Sequence, residues 1–253
     1  MKLDFAKYVR EYEELLKEFM KTPYFGHCAI SHILKSQELK DIPIRSFYLK
    51  NSLVYARNYE VARFIDITKD EHPQICGGVT EYLTKIKLAR KLGKSLTELH
   101  FFDDVDKPEY FGLSDEELAF AMYEPDIRFR SGYGYTAEIL SNKNKIINKA
   151  SYLAKVALEL INKTFPIINE IDFHPQGHVM YGGKLAIKGD SDLAINNCLI
   201  DFKLTKNQKL SNINRAQLFA YALHKHMRDG VSYDRVYFLN PRAYLLEELV
   251  LKS

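Results

Sequence analysis

Residues 188–206, Lys-Gly-Asp-Ser-Asp-Leu-Ala-Ile-Asn-Asn-Cys-Leu-Ile-Asp-Phe-Lys-Leu-Thr-Lys, decide how the rest of the chain is read. Asn196-Asn197 stands between two alternating apolar runs, 190–195 and 198–204. Asn tolerates positive φ, so the pair predicts a two-residue hairpin turn. The register then follows: Ile195 faces Cys198, Ala194 faces Leu199, Leu193 faces Ile200, and Asp192 lies opposite Asp201. Alternation puts Ser191, Leu193, Ile195, Cys198, Ile200, Phe202 and Leu204 on one side, an apolar face expected in the core. The other side carries Asp190, Asp192, Ala194, Leu199, Asp201 and Lys203. Opposed residues have Cβ atoms about 4.5–5.5 Å apart, and like charges at that range destabilise a sheet unless something compensates. A divalent cation between the two carboxylates is one compensation, because Mg²⁺ takes oxygen ligands and often only one or two carboxylates. A solvated polar face, neutralised by Lys203, is the other reading.

Working outward, the pattern on either side is that of a layered protein. A helical stretch is expected over 136–163, stopped by Pro166; three strands over 167–206; a helix over 211–228; and two strands at 236–239 and 244–251. Helix, strands, helix, strands is an α/β (α+β) layer order with a central sheet. The first 125 residues are expected to be mostly helical, with helical spacing at 4–21 and 79–92 and an N-cap at Ser114 with Glu117 three residues on. Stretch 65–78, with Pro73 and Gly77-Gly78, is expected to be a loop, and 125–134, with Pro125, Gly132 and Gly134, a linker. The expected division is therefore a mostly helical accessory or cap region at 1–125 and a core at 126–253.

Composition narrows the class without deciding it. The chain has 253 residues, 46% hydrophobic and 27% charged, enough for a sizeable core. A net charge of +3 permits nucleic-acid binding without arguing for it. Three scattered cysteines, with no Cys-x-x-Cys pair, make zinc ribbons and four-cysteine clusters poor readings and fit a reducing compartment. No signal-like segment and no membrane-length apolar run is present, so a cytoplasmic chain without membrane contact is expected.

The chain resembles the PD-(D/E)XK nuclease superfamily, RecB-type and phage-exonuclease-like members in particular. The match is Gly189-Asp190-Ser191-Asp192, eight residues, then Asp201-Phe202-Lys203, within a resemblance that covers about residues 134–251. It implies a restriction-endonuclease-like core, a central mixed sheet flanked by helices. Asp192 and Asp201 would be metal-binding carboxylates, Phe202 would offer its backbone carbonyl, and Lys203 would be the catalytic lysine. RecB-type members carry Gln-x3-Tyr on the following helix; Gln217 and Tyr221 match it, four apart and hence on one helical face, with Arg215 beside them. Phage-type members carry Gly-x3-Glu ahead of the sheet; Gly134 to Glu138 fits, although a first-turn Glu favoured by the helix dipole reads the same way. Glu159 and Glu170 are weaker substitutes.

The resemblance implies a nuclease using one or two Mg²⁺ or Mn²⁺ ions on DNA, with no iron–sulfur cluster. Exonuclease and endonuclease action both fit, and so do a homo-oligomer or a recombination or replication partner. A binding module that has lost catalysis, or a metal-dependent phosphatase, are the rival classes. Arg128, Arg130 and Arg215 are candidate phosphate contacts, and Arg242 is a weaker one. His174 and His178 read as part of a turn, because Pro175 and Gly177 deny a helix there; His224 and His226 read as exposed.

Overall fold

The computed structural model describes residues 3–24, 26, 28–57, 64–99, 110–206 and 209–252, the side chains of Glu98, Leu99, Arg130 and Leu185 excepted. The hairpin forms as its sequence dictates. β6 (Leu193–Ile195) and β7 (Cys198–Phe202) pair antiparallel with Leu193, Ala194 and Ile195 against Ile200, Leu199 and Cys198. Asn196 and Asn197 take φ of 47° and 60°, the left-handed pair that such a turn requires. Their amides do further work. Asn196 accepts the N–H groups of Asn169 and Glu170 at 2.9 and 3.2 Å, and Asn197 donates to the Ser232 carbonyl at 3.0 Å. The turn is thereby tied to the chain entering β3 (Ile171–Asp172) and to the approach to β8 (Arg235–Asn240).

From β7 the chain crosses over through α8 (Asn212–Asp229) and returns as β8, parallel to β7. Ser211 caps α8 by accepting the Asn214 N–H, and Gly230, at φ 69°, ends it. β9 (Leu245–Val250) then pairs antiparallel with β8, and β2 (Val54–Tyr55) with β9. Among the described residues this gives a mixed six-stranded sheet in the order β2-β9-β8-β7-β6-β3, and a smaller sheet β1-β5-β4 of Cys28–Ala29, Lys184–Lys188 and Val179–Tyr181. The architecture is α/β, with mixed sheets flanked by helices.

Both faces of the large sheet are core. On one, Leu193, Ile195, Ile200, Phe202 and Leu239 pack with residues of α4 (Pro73–Lys91), α5 (Asp115–Ser131) and α7 (Lys143–Thr164). On the other, Ala194, Leu199, Val236 and Phe238 pack with α8, α1 (Ala6–Phe19), α2 (Ile30–Lys35) and α3 (Pro43–Lys50). The side expected to be the polar one is thus covered as well, and a solvated polar face is not what carries Asp201. Both cores draw on residues from each side of position 125.

Several expectations give way for identifiable reasons. The stretch 65–78 is a loop only as far as a short 3₁₀ turn at Lys69–Glu71; α4 starts at Pro73, where proline suits a first turn, and runs through Gly77-Gly78. Gly78 is there for space: a Cβ on it would lie 2.0 Å from the Tyr123 ring, so glycine lets α5 lie close against α4. The expected linker at 125–134 is largely helix, since α5 takes Pro125 in its interior and stops only at Gly132, φ 77°. The helix expected over 136–163 breaks at Asn142 into α6 (Ala137–Ser141) and α7. Between 167 and 206 there are five strands rather than three, because Gly182 and Gly183, both at positive φ, turn an additional hairpin, β4–β5.

Candidate active site

The acid cluster lies at the carboxyl end of β7. Asp201 is 3% exposed, and Lys203 follows two residues on, on the same side. The Lys203 Nζ donates to Asp201 Oδ1 at 2.9 Å, lies 2.8 Å from Oδ2, and is 4.0 Å from Asp192 Oδ2. One ammonium therefore bridges the two carboxylates. Asp192 sits just before β6, and its Oδ2 accepts the Phe202 N–H at 2.6 Å. The Lys203 N–H donates to the Leu239 carbonyl of β8 at 3.0 Å, so alternation points the N–H and the carbonyl of Phe202 away from β8, towards Asp192.

A third carboxylate comes from the N-terminal half. Glu81 on α4 is held by Lys85, one turn further on, at 2.6 Å; the side chain of Glu81 is 22% exposed and that of Lys85 only 3%. Burial raises the Glu81 carboxyl above its usual range, the Asp192 carboxylate raises it further, and Lys85 and Lys203 oppose the shift. Asp201 is pushed up to about 7, chiefly by burial; Lys203 resists, while Asp192 and Glu81 add to it. Burial works against the charge on Lys203, but Asp201 and Asp192 outweigh it and hold the amine protonated well above its ordinary range. The two shifts describe one group of charges: the ammonium persists, and the acids take up the first proton near neutrality. Three carboxylates against two ammonium groups leave the cluster one negative charge in excess when all are ionised.

On the side of the sheet away from α4, α8 brings Tyr221, which is 6% exposed and accepts a hydrogen bond from the Gln217 amide. Burial raises its hydroxyl pKa, Asp201 adds to the rise and Lys203 opposes it, so the Gln217–Tyr221 face looks onto the acid cluster. The structure thus brings together Asp192, Asp201, Phe202, Lys203, Gln217 and Tyr221.

Other candidates fall elsewhere. Glu138 stands on α6 with its side chain 70% exposed, 4.0 Å from His72 Nε2. Glu159 and Glu170 are exposed. Arg215 turns to the Leu53 carbonyl at 3.3 Å, tying α8 to the approach to β2. Arg128 pairs with Glu124 on its own helix, and the side chain of Arg130 lies outside the described residues. Arg242 is buried and holds the Ile65 carbonyl and Asp66. His174 and His178 lie in the loop between β3 and β4, as expected. His226 is half-buried, and His224, expected to be exposed, is wholly buried. Two surface cavities of about 350 and 190 Å³ lie away from the cluster, one lined by Arg90, Leu96 and Tyr110, the other by Asp172, Asn196 and Tyr233.

Glu81 and Lys85 were legible only in part. Gly77 to Glu81 repeats the Gly-x3-Glu spacing found at 134–138, but Gly77-Gly78 reads as a breaker unless the packing of Tyr123 is known. Nothing local in the sequence marks Lys85.

The donor set has the character of a hard-cation site: carboxylates of Glu81, Asp192 and Asp201, and the Phe202 carbonyl on the Asp192 side. Asp201 Oδ2 is buried and makes no hydrogen bond, although the Lys203 amine lies close. As the side chains stand, no trio of His, Cys, Asp or Glu among the described residues is in metal-holding geometry. The Lys203 amine stands between Asp192 and Asp201. Compared with protein-family models, curated proteins and solved structures, the chain has no match. Among the described residues no helix is long and apolar enough to cross a membrane.

Proposed function

We propose that this chain is a nuclease that hydrolyses phosphodiester bonds in DNA with Mg²⁺ or Mn²⁺, on a core of the PD-(D/E)XK, restriction-endonuclease-like kind. The observation that carries the reading is the Lys203 ammonium held between Asp192 and Asp201 at the end of β7. Glu81, Asp192, Asp201 and the Phe202 carbonyl would hold the cation; Glu81 takes the place first assigned to Glu138. Bound there, a divalent ion supplies Lewis-acid stabilisation of a phosphoryl oxygen and lowers the pKa of a water. Lys203, 31% exposed at its side chain, is the cation that can reach a phosphate or the attacking water, and its raised pKa makes it a charge stabiliser rather than a base. Gln217 and Tyr221 would brace the lysine end of the cluster.

To test this, purified protein is incubated with linear, circular and single-stranded DNA plus Mg²⁺ or Mn²⁺. Cleavage by the wild type, lost in Lys203→Ala and Asp201→Asn, is expected. Equal cleavage by wild type and Lys203→Ala would discard the mechanism. A second reading, a binding module without catalysis, draws support from the same lysine, because the acids are already paired without an ion. Calorimetric titration separates the two: DNA binding with no Mn²⁺ binding favours the module.

A further inference from the structure

His224 lies in the middle of α8 with no exposed surface, and both ring nitrogens are engaged. Nε2 is 2.7 Å from the Tyr12 hydroxyl and 3.1 Å from that of Tyr48, and the two hydroxyls are 2.6 Å apart. Nδ1 is 2.9 Å from the Gly177 carbonyl. A carbonyl only accepts, so Nδ1 carries the hydrogen and Nε2 offers its lone pair to a tyrosine hydroxyl. This fixes the tautomer of the neutral ring.

Gly177 is part of a strap that holds the segment leading to Asp192. The Gly177 N–H donates to the Gly189 carbonyl at 2.5 Å, and Ser191 donates to the Pro175 carbonyl through both its N–H (3.0 Å) and its hydroxyl (3.3 Å). Asp192 follows at once and accepts the Phe202 N–H. The same face of α8 presses on the strap from below: a Cβ on Gly177 would lie 3.1 Å from Tyr221 Cδ1, and one on Gly189 only 2.5 Å from Tyr221 Cε1. Tyr221 and His224 are three residues apart, neighbours on the helix surface.

We infer that His224 is a positioning residue for the acid cluster: through the Gly177 carbonyl it fixes strap 175–177, the strap fixes 189–191, and that segment delivers Asp192 to the Phe202 N–H. Tyr12 of α1 and Tyr48 of α3 anchor the far side of the ring, so these two helices are joined to the strap through it. The inference rests on Asp192 being a site carboxylate, as in the proposed function.

The experiment compares His224→Leu, His224→Asn, His224→Gln and Tyr48→Phe by amide hydrogen exchange, with Mn²⁺ titration alongside. In His224→Leu the Ser191 and Phe202 amides should exchange at least about tenfold faster, beyond any change at the Val236 and Phe238 amides of the core, and Mn²⁺ affinity should fall about ten- to a hundredfold, the usual effect of losing a group that orients a ligand. His224→Asn, whose side-chain amide sits where Nδ1 was, should restore most of both. Tyr48→Phe should leave both near wild type even if it melts earlier. If His224→Leu does not fold, the polar pair decides: selective loss of Ser191 and Phe202 protection in Gln but not in Asn supports the inference. Uniform acceleration across the core, or unchanged exchange at Ser191 and Phe202, overturns it. Should the wild type bind no Mn²⁺, the nuclease reading falls and the exchange pattern still decides the role of His224.

Discussion

The Asp192 carboxylate accepts the backbone N–H of Phe202 across 2.6 Å, which places the first acid beside the second without a strand pairing between them. A charged acceptor makes such a bond worth about 1.5–3 kcal/mol. Asp192→Ala is therefore expected to lose metal binding and cleavage and to destabilise the fold by about that amount. Asp192→Asn keeps an acceptor oxygen and should stay within about 1 kcal/mol of wild type while losing activity equally. Thermal melts beside a cleavage assay check it: equal melting of the two variants would mean the bond contributes nothing to the fold.

Glu81 and Glu138 offer a direct contrast. Both end a Gly-x3-Glu, but Glu81 feels the charges of Asp192 and Lys203 and acts in turn on Asp201, whereas Glu138 is 70% exposed beside His72. Glu81→Gln is expected to weaken Mn²⁺ binding and cut cleavage about a hundredfold, and Glu138→Gln to leave both unchanged. Parallel titrations of the two proteins test this. Loss in Glu138→Gln alone would return the third ligand to α6.

How far the sequence could be read depended on the range of the force involved. The hairpin was legible because its pattern and its turn chemistry are local: alternation set the register from Leu193 to Ile200, and Asn supplied the positive φ. Its buried side was not, because alternation cannot tell a solvated face from one roofed by α8 and by the distant helices α1–α3 packed with it. Gly77-Gly78 was misread for the same reason. In isolation a glycine pair breaks helices; here Gly78 makes room for Tyr123, and burial of α4 against α5 and α7 outweighs propensity. His224 looked exposed because a polar residue on a helix usually is, and only the docking of α1 and α3 supplies the two tyrosines that satisfy it.

Gly78→Ala follows from that packing. The Tyr123 ring would have to move to admit the methyl, costing about 1–3 kcal/mol and shifting α5 against the helix that carries Glu81. Gly77→Ala meets only Leu204 Cβ at 3.8 Å, ordinary contact, and trades glycine for a better helix former, so it should be neutral or stabilising by up to about 1 kcal/mol. Chemical denaturation of the pair is the measurement, and the reverse order would refute the account of α4.

Proton competition sets the pH dependence of cation binding. Asp201 is held near 7, so below that value a proton occupies the acid that a cation needs. Apparent Mn²⁺ affinity should be level above about pH 8 and fall by about tenfold per pH unit below the folded pKa, with cleavage following it. Titrations at several pH values give the slope; a flat affinity between pH 5.5 and 8 would remove Asp201 from the ligand set.

The buried imidazole sets a second pH window, in stability rather than binding. His224 is held down to about 4 by burial, against 6.5 as an ordinary histidine, with the Gly177 carbonyl partly opposing the shift. Between those two values the unfolded chain binds a proton that the native protein refuses, so the contribution is whole above about pH 7 and is lost as pH falls towards 4, about 3 kcal/mol in all. Asp201 acts in the opposite sense, since its raised pKa makes the native state the better proton binder between its ordinary value of 3.8 and about 7. The two slopes oppose each other in the wild type, so a flat profile there would say nothing about either. His224→Asn removes one titration and leaves the other. The difference in unfolding free energy between wild type and variant, followed from pH 7.5 to 4.5, should shrink steadily. A constant difference across that range would mean that burial does not hold the ring neutral.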